Sequence, residues 1–360
     1  MRHDNRRRFL RRVTRTGTAV TLAAAGRPHL SGAAESQSPT VFPDIPRIDV
    51  HTHVGDNARV LGYYLNVRDI MKDRYNEDLA FFVNLGDSKS QTTSLDTVAS
   101  AGKGRFLCTI SDYSVHTGMK FKPDELKSYM TRGYVGYKIW CGPWYRRLKP
   151  DEAGYRYIDD PAHEPTFAAM ERDGILAAST HIADPNGPYG NRTNWCADPV
   201  EFWTEILAWR RVLERHPEMT VVAAHGSWLV CQDAQLDFLR NMFATFPKFN
   251  VDLAATFQYF HLLDRDNLRD LMTEWSDRIM FGTDISRWDD EAQCSQFAER
   301  YHRCFRVLET GETVEGGFFG GPAIHGLALP RNVLENIYFR NAVRIYPRMK
   351  EAMAKLGYTV

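Results

Sequence analysis

Eight short runs of apolar and β-branched residues recur along this chain from residue 47 onward, roughly 25 to 45 residues apart, with helix-like segments between them. In order they are Arg47 to His51, Leu79 to Leu85, Phe106 to Ile110, Tyr134 to Ile139, Ile175 to Thr180, Thr220 to Ala224, Phe249 to Leu253, and Arg278 to Phe281. Most are continuous rather than alternating, as strands covered on both faces require. Strands separated by helices pair in parallel, because each crossover returns the chain to the same end of the sheet. Eight such units in 360 residues predict an α/β chain closed into a (β/α)8 TIM barrel over residues 47–360, C-terminal helices included. The competing arrangement is an open doubly wound sheet; no Gly-x-Gly-x-x-Gly follows the first run to support it.

The helices are legible too. Asp198-Pro199-Val200-Glu201 supplies an N-cap, a first-turn proline and an early acidic residue, and Phe202, Ile206, Trp209 and Leu213 form one apolar stripe. A last amphipathic segment, Val333 to Ile345, is stopped by Pro347.

Ahead of the domain, Arg6, Arg7, Arg8, Arg11, Arg12 and Arg15 crowd the first residues and a mild apolar stretch runs from Thr16 to Gly26. That is the layout of a secretory leader. Asn5-Arg6-Arg7-Arg8-Phe9-Leu10-Arg11 resembles the twin-arginine signal, and the small residues Ser31 to Ala34 offer a cleavage site. The expectation is a signal peptide over 1–34, a Pro- and Ser-rich linker over 35–46, and a mature protein in the periplasm. No other apolar run approaches the roughly 18 residues of a spanning helix. The formal charge of +0 gives no reason to expect a nucleic acid or an anionic membrane as partner, which leaves a small-molecule substrate, with a homo-oligomer also open. The six cysteines show no Cys-x-x-Cys pair, which excludes a zinc finger; a disulfide stays open.

The residues that carry chemistry fall at strand ends. His51 and His53 are two positions apart at the end of the first run, so strand alternation puts both side chains on one face, about 6.6 Å apart along the backbone. Taken alone, a His-x-His in a chain with twelve histidines says little. Position gives it weight: His181, His225 and Asp284 follow the fifth, sixth and eighth runs, at the end of the barrel where active sites are built. Imidazole and carboxylate suit zinc and similar divalent ions at sites that keep a coordination position open. The alternative for each residue singly is a core histidine or a loop-capping aspartate.

Asp49-Val50-His51-Thr52-His53, the strand-end His181 and His225, and Phe281-Gly282-Thr283-Asp284 together resemble the amidohydrolase superfamily. The closing segment, from Leu329-Pro330 through Ile337 to Ala342, resembles its amidohydrolase-related branch, which includes lactone hydrolases and non-oxidative decarboxylases. The resemblance implies that His51, His53, His181 and Asp284 hold one divalent metal, zinc or alternatively manganese. It implies that Asp284 also accepts a proton from the water the metal activates, and that His225 polarises the substrate or transfers a proton. Lys138, near the end of the fourth run, stands where two-metal members carry a carboxylated lysine that bridges a second ion; it is equally suited to bind a substrate carboxylate. The sequence departs from the branch at His225-Gly226-Ser227-Trp228, where Trp228 narrows the pocket.

The loop from Trp140 to Arg147 is aromatic and basic, and with Trp140, Trp144 and Arg146 it reads as a wall for a planar or sugar-like anionic ring, or else as rim packing. Arg192, in the loop after the fifth run, adds another polar contact. The resulting expectation is a metal-dependent hydrolase acting on a lactone, ester or amide-type bond. Its rivals are a decarboxylase and a barrel that binds metal or ligand without catalysis.

Overall fold

The computed structural model describes residues 40–87, 92–142, 156–185, 199–286, 290–316 and 321–359. The leader expected over 1–34 lies outside these residues, as do Trp144, Arg146, Arg192, Cys196 and the helix cap expected at Asp198.

All eight expected strand positions are strands. They are β1 (Arg47–Thr52), β2 (Leu79–Asn84), β3 (Phe106–Cys108) with β4 (Ile110–Asp112), β5 (Tyr137–Cys141), β6 (Ala177–Ile182), β7 (Val221–Ala223), β8 (Phe249–Asp252) and β9 (Ile279–Met280). The third position is broken at Thr109 rather than continuous, so β3 pairs with β2 and β4 pairs with β5. The amide of Thr109 donates to Asn84 and that of Ile110 to Gly136, which carries the chain from one neighbour to the other without leaving the wall. Every strand pair in the wall is parallel. Closure comes from β1 against the segment after β9: Val50 donates to Phe281, Asp284 donates to His51, and Thr52 bridges Ile285. The wall is a closed (β/α)8 barrel.

Alternation along the strands divides the apolar residues between two cores. Ile48, Val50, Phe81, Val83, Leu176, Val222 and Met280 pack together inside, and the same cluster takes in Tyr346, Met349 and Met353 from the C-terminal segment. A larger cluster fills the layer between strands and helices. There α5 (Pro199–Arg215) buries Phe202, Ile206, Trp209 and Leu213, the stripe expected from sequence. To place the helices in chain order, α1 is Ala58–Tyr75, α2 Leu95–Ala101, α3 Pro123–Arg132, α4 Glu164–Asp173, α6 Asp233–Thr245, α7 Arg265–Glu274 and α8 Gln293–Glu309. The last amphipathic segment is helical over Arg331–Glu335, takes a π turn over Asn336–Arg340 and resumes over Asn341–Ile345.

Residues 40–46, expected as linker, are packed instead. Ile45 lies in the outer core, the amide of Phe42 donates to Glu309, and Asp44 pairs with Arg331. Arg47 is fully buried and ion-paired to Glu309 at 2.7 Å. The packed chain is therefore under way by Thr40 rather than beginning at Arg47. Cys108, Cys294 and Cys304 are buried free thiols. Among the described residues, no helix is long and apolar enough to cross a membrane.

Candidate metal centre

The C-terminal end of β1 sets the geometry. His51 is the fifth residue of the strand and His53 lies just past its end, so alternation turns both rings to the barrel axis, and their Nε2 atoms stand 3.2 Å apart. Asp284 follows β9 with φ +64°, held there by the bond from its own amide to the carbonyl of His51. Its Oδ1 lies 3.2 Å from His53 Nε2 and 3.7 Å from His51 Nε2. The Asp284 side chain is 31% exposed, the most open member of the group.

The far sides of the rings settle which nitrogens carry protons. His51 Nδ1 faces the carboxylate of Asp252 at 2.9 Å, and His53 Nδ1 faces the carbonyl of Gly86 at 3.2 Å and the hydroxyl of Tyr113 at 2.8 Å. A carboxylate or a carbonyl accepts only, so each Nδ1 bears the hydrogen and each Nε2 presents a lone pair. Two imidazole lone pairs and a carboxylate oxygen thus converge with no proton between them. Their separations of 3.2 to 3.7 Å match the edges of a tetrahedron of donors about 2.0–2.1 Å from a zinc ion, which are about 3.3–3.4 Å long.

His225 and His181 form a second tier. His225 Nδ1 donates to the carbonyl of Ala254 at 2.8 Å, so its Nε2 accepts from His181 Nδ1 at 3.0 Å. That leaves the buried His181 Nε2 as a lone pair without a hydrogen-bond partner, its nearest ion-pairing atom being an Asp184 oxygen at 3.6 Å. An orphaned nitrogen of this kind fits the expected metal site. His181 is nevertheless absent from both groups of three donors that lie within 4.8 Å of one another, which are His51, His53 and Asp284, and His51, His225 and Asp252. The structure thus assembles His51, His53 and Asp284 as one trio, and it reaches His181 through His225.

Burial sets the protonation of these rings. It lowers His181 and His225 to about 3, with the nearby Lys138 charge adding to the effect on His181 and the His181 ring adding to that on His225. Burial also takes His51 well below its usual value. All three are therefore neutral, the form that ligates.

Lys138 lies on β5, fully buried, and its Nζ donates to the carbonyl of Ser179 at 2.6 Å. Trp140 and Trp228 do flank the site. The Trp140 ring lies 5.0 Å from His181, and the Trp228 indole stacks on His225 at 4.2 Å and 19°. The stacking follows from an unusual turn in which His225, Gly226, Ser227 and Trp228 all take φ between +56° and +59°. One left-handed turn brings the first and fourth side chains together. This backbone costs roughly 1–2 kcal/mol for each residue that has a Cβ, so its presence beside the site marks a functional constraint.

Two site residues escaped sequence reasoning. Tyr113 follows β4, contacts His53 through its hydroxyl and meets Trp140 edge to face at 5.4 Å. Asp252 ends β8 and bonds His51. Its signal was available, since a carboxylate closes the seventh strand position where the other site residues close theirs; counting Phe249 to Leu253 as one run hid it in the strand interior.

The amidohydrolase family model matches residues 114–348, which takes in His181, His225, Asp252 and Asp284 but not His51 or His53. No curated protein sequence matches the chain. Among solved structures, it is similar to an uncharacterised TIM-barrel protein from Bordetella bronchiseptica, with 16% identity, 86% of this chain and 99% of that chain covered, and a TM-score of 0.48. It is also similar to Amidohydrolase 2 from Bifidobacterium longum subsp. infantis, with 13% identity over 84% and 98% of the two chains and a TM-score of 0.44. A third is dihydroorotase from Saccharomyces cerevisiae, with 11% identity over 86% of each chain and a TM-score of 0.48. The family model spans well over half of the sequence, and the chain belongs to the amidohydrolase family.

Proposed function

We propose that this protein is a metal-dependent hydrolase that uses activated water to cleave a lactone, ester or amide-type bond in a small anionic cyclic substrate. The observation that carries the reading is the convergence of the His51 and His53 lone pairs with the Asp284 carboxylate, at spacings that suit one divalent ion. In this reading His51, His53 and Asp284 hold the ion, and the orphaned Nε2 of His181 is available as a fourth donor. The ion supplies Lewis acidity, lowering the pKa of water and polarising a carbonyl. Asp284, partly exposed beside the histidines, takes the proton that water loses. His225 keeps its Nδ1–H on the Ala254 carbonyl, so in this reading its Nε2 gives up the His181 bond to take and pass on a proton, and Trp140 and Trp228 bound the space for a planar ring. Lys138, tied to the Ser179 carbonyl, acts as a buried charge rather than as a bridge between two ions.

The test joins metal analysis to a substrate screen. Purified protein is expected to hold about one equivalent of zinc or manganese, to lose it with activity to a chelator, and to consume base in a pH-stat with a member of a lactone panel. Release of CO2 from carboxylated aromatics without base consumption would replace hydrolysis by decarboxylation. Less than about a tenth of an equivalent of metal, with no uptake of added zinc or manganese, would sink the metal reading altogether.

A further inference from the structure

The carboxylate of Asp252 is fully buried, and it gathers four donors from four parts of the barrel wall. Oδ1 accepts from the amides of His225 at 3.0 Å and Ala254 at 3.1 Å; Oδ2 accepts from His51 Nδ1 at 2.9 Å and Ser179 Oγ at 3.0 Å. Two oxygens offer about four acceptor positions, and all are taken. Proximity to His51 and His225 would otherwise make Asp252 a third candidate ligand, but a carboxylate with no vacant lone pair does not also bind an ion. Ser179 reaches it from a position with φ +46°, inside the register irregularity between Ala177 and Thr180 where β6 meets β7. A strained backbone aimed at one carboxylate is the kind of outlier that function maintains.

We propose that Asp252 is a positioning residue that fixes His51 in its Nδ1–H tautomer, leaving the Nε2 lone pair free for the metal, and at the same time anchors the left-handed turn that carries His225. The inference rests on the metal reading of His51, His53 and Asp284. One carboxylate thereby sets both the ligand at β1 and the ring above β7. The Asp252→Asn variant is informative because the amide keeps the shape but replaces one acceptor by a donor. The backbone amides of His225 and Ala254 cannot reverse, so the new NH2 faces His51 and Ser179. The serine hydroxyl rotates to accept. The imidazole can accept only by moving its proton to Nε2, where it blocks the trio.

The experiment is a competition titration of zinc against a chromophoric chelator, on the full chain stripped of metal, comparing wild type, Asp252→Asn and Ser179→Ala. Asp252→Asn is expected to weaken zinc binding about 10- to 100-fold with an unchanged circular dichroism spectrum, as loss of a partner behind a metal-binding histidine does. Ser179→Ala, which keeps the His51 bond, is expected to shift affinity by less than about 3-fold. Equal affinity of wild type and Asp252→Asn overturns this proposal alone, because a purely structural carboxylate would lower thermal stability and leave zinc affinity unmoved. Failure of the wild type to bind zinc overturns the metal reading and this proposal with it. Should Asp252→Asn not fold, long-range 15N spectra of histidine-labelled wild type, with the His51 signals identified by their loss in His51→Gln, decide the matter. An Nδ1–H tautomer is expected for His51 in the metal-free protein, and an Nε2–H tautomer would overturn the proposal.

Discussion

Asp284 and His53 are separable in what they should do. Replacing Asp284 by Asn keeps the size of the side chain but removes the proton acceptor, and kcat is expected to fall about 10²- to 10⁴-fold while the circular dichroism spectrum is retained. A retained kcat would show that another group takes the proton. His53→Ala removes a lone pair from the trio instead, and its expected signature is loss of bound metal in an otherwise folded barrel. Gly226 stands apart because its role is steric. It takes φ +58° between His225 and Ser227, and a Cβ there would lie 2.7 Å from a Val230 methyl. Gly226→Ala is therefore expected to cost about 1–3 kcal/mol in chemical denaturation and to raise KM, as the turn that pairs His225 with Trp228 shifts. Unchanged stability would mean that the turn relaxes freely.

At the scale of elements, the barrel is closed by a buried latch rather than by a long ladder. β9 is only two residues long, and the wall beyond it is fastened by Asp49. That carboxylate accepts from the amides of His51 and Thr283 at 2.9 and 3.2 Å, and from the hydroxyls of Thr283 and Tyr301 at 2.5 Å each. It joins β1 to the segment bearing Asp284 and to α8, so the first and last strand positions share one buried group. Asp49→Ala strands these donors without water, and we expect a loss of about 2–4 kcal/mol by denaturant titration, with metal affinity falling in parallel as Asp284 loses its support. A loss under about 0.5 kcal/mol would show that the backbone bonds suffice for closure.

For the molecule as a whole, the repeated strand and helix units were readable because burial on both faces of a parallel strand leaves a continuous apolar run, which depends on nothing distant. The break at Thr109 was not readable, since it reflects a change of hydrogen-bonding neighbour from Asn84 to Gly136 rather than any local preference. Nor was the packing of residues 40–46, whose two prolines suit a linker until Glu309 and Arg331 supply partners. The leader is a matter of sequence in another sense. The motif at Arg6-Arg7 predicts twin-arginine-dependent export, so replacing both arginines by lysine should leave the protein in the cytoplasm, as fractionation would reveal. Export of that variant at the normal rate would discard the assignment.

What the sequence alone determined was the alternation of strands with helices, the shared facing of His51 and His53, and the position of His181, His225 and Asp284 at strand ends. Each follows from local periodicity along one segment. What tertiary structure alone decided was which of these side chains meet. Asp284 joins His51 and His53, His181 comes in behind His225, Lys138 turns to Ser179, and Asp252 gathers four donors. Those choices depend on hydrogen bonds between residues distant in sequence, 234 positions apart for the bond from Thr283 to Asp49, and only closure of the barrel brings such partners within reach.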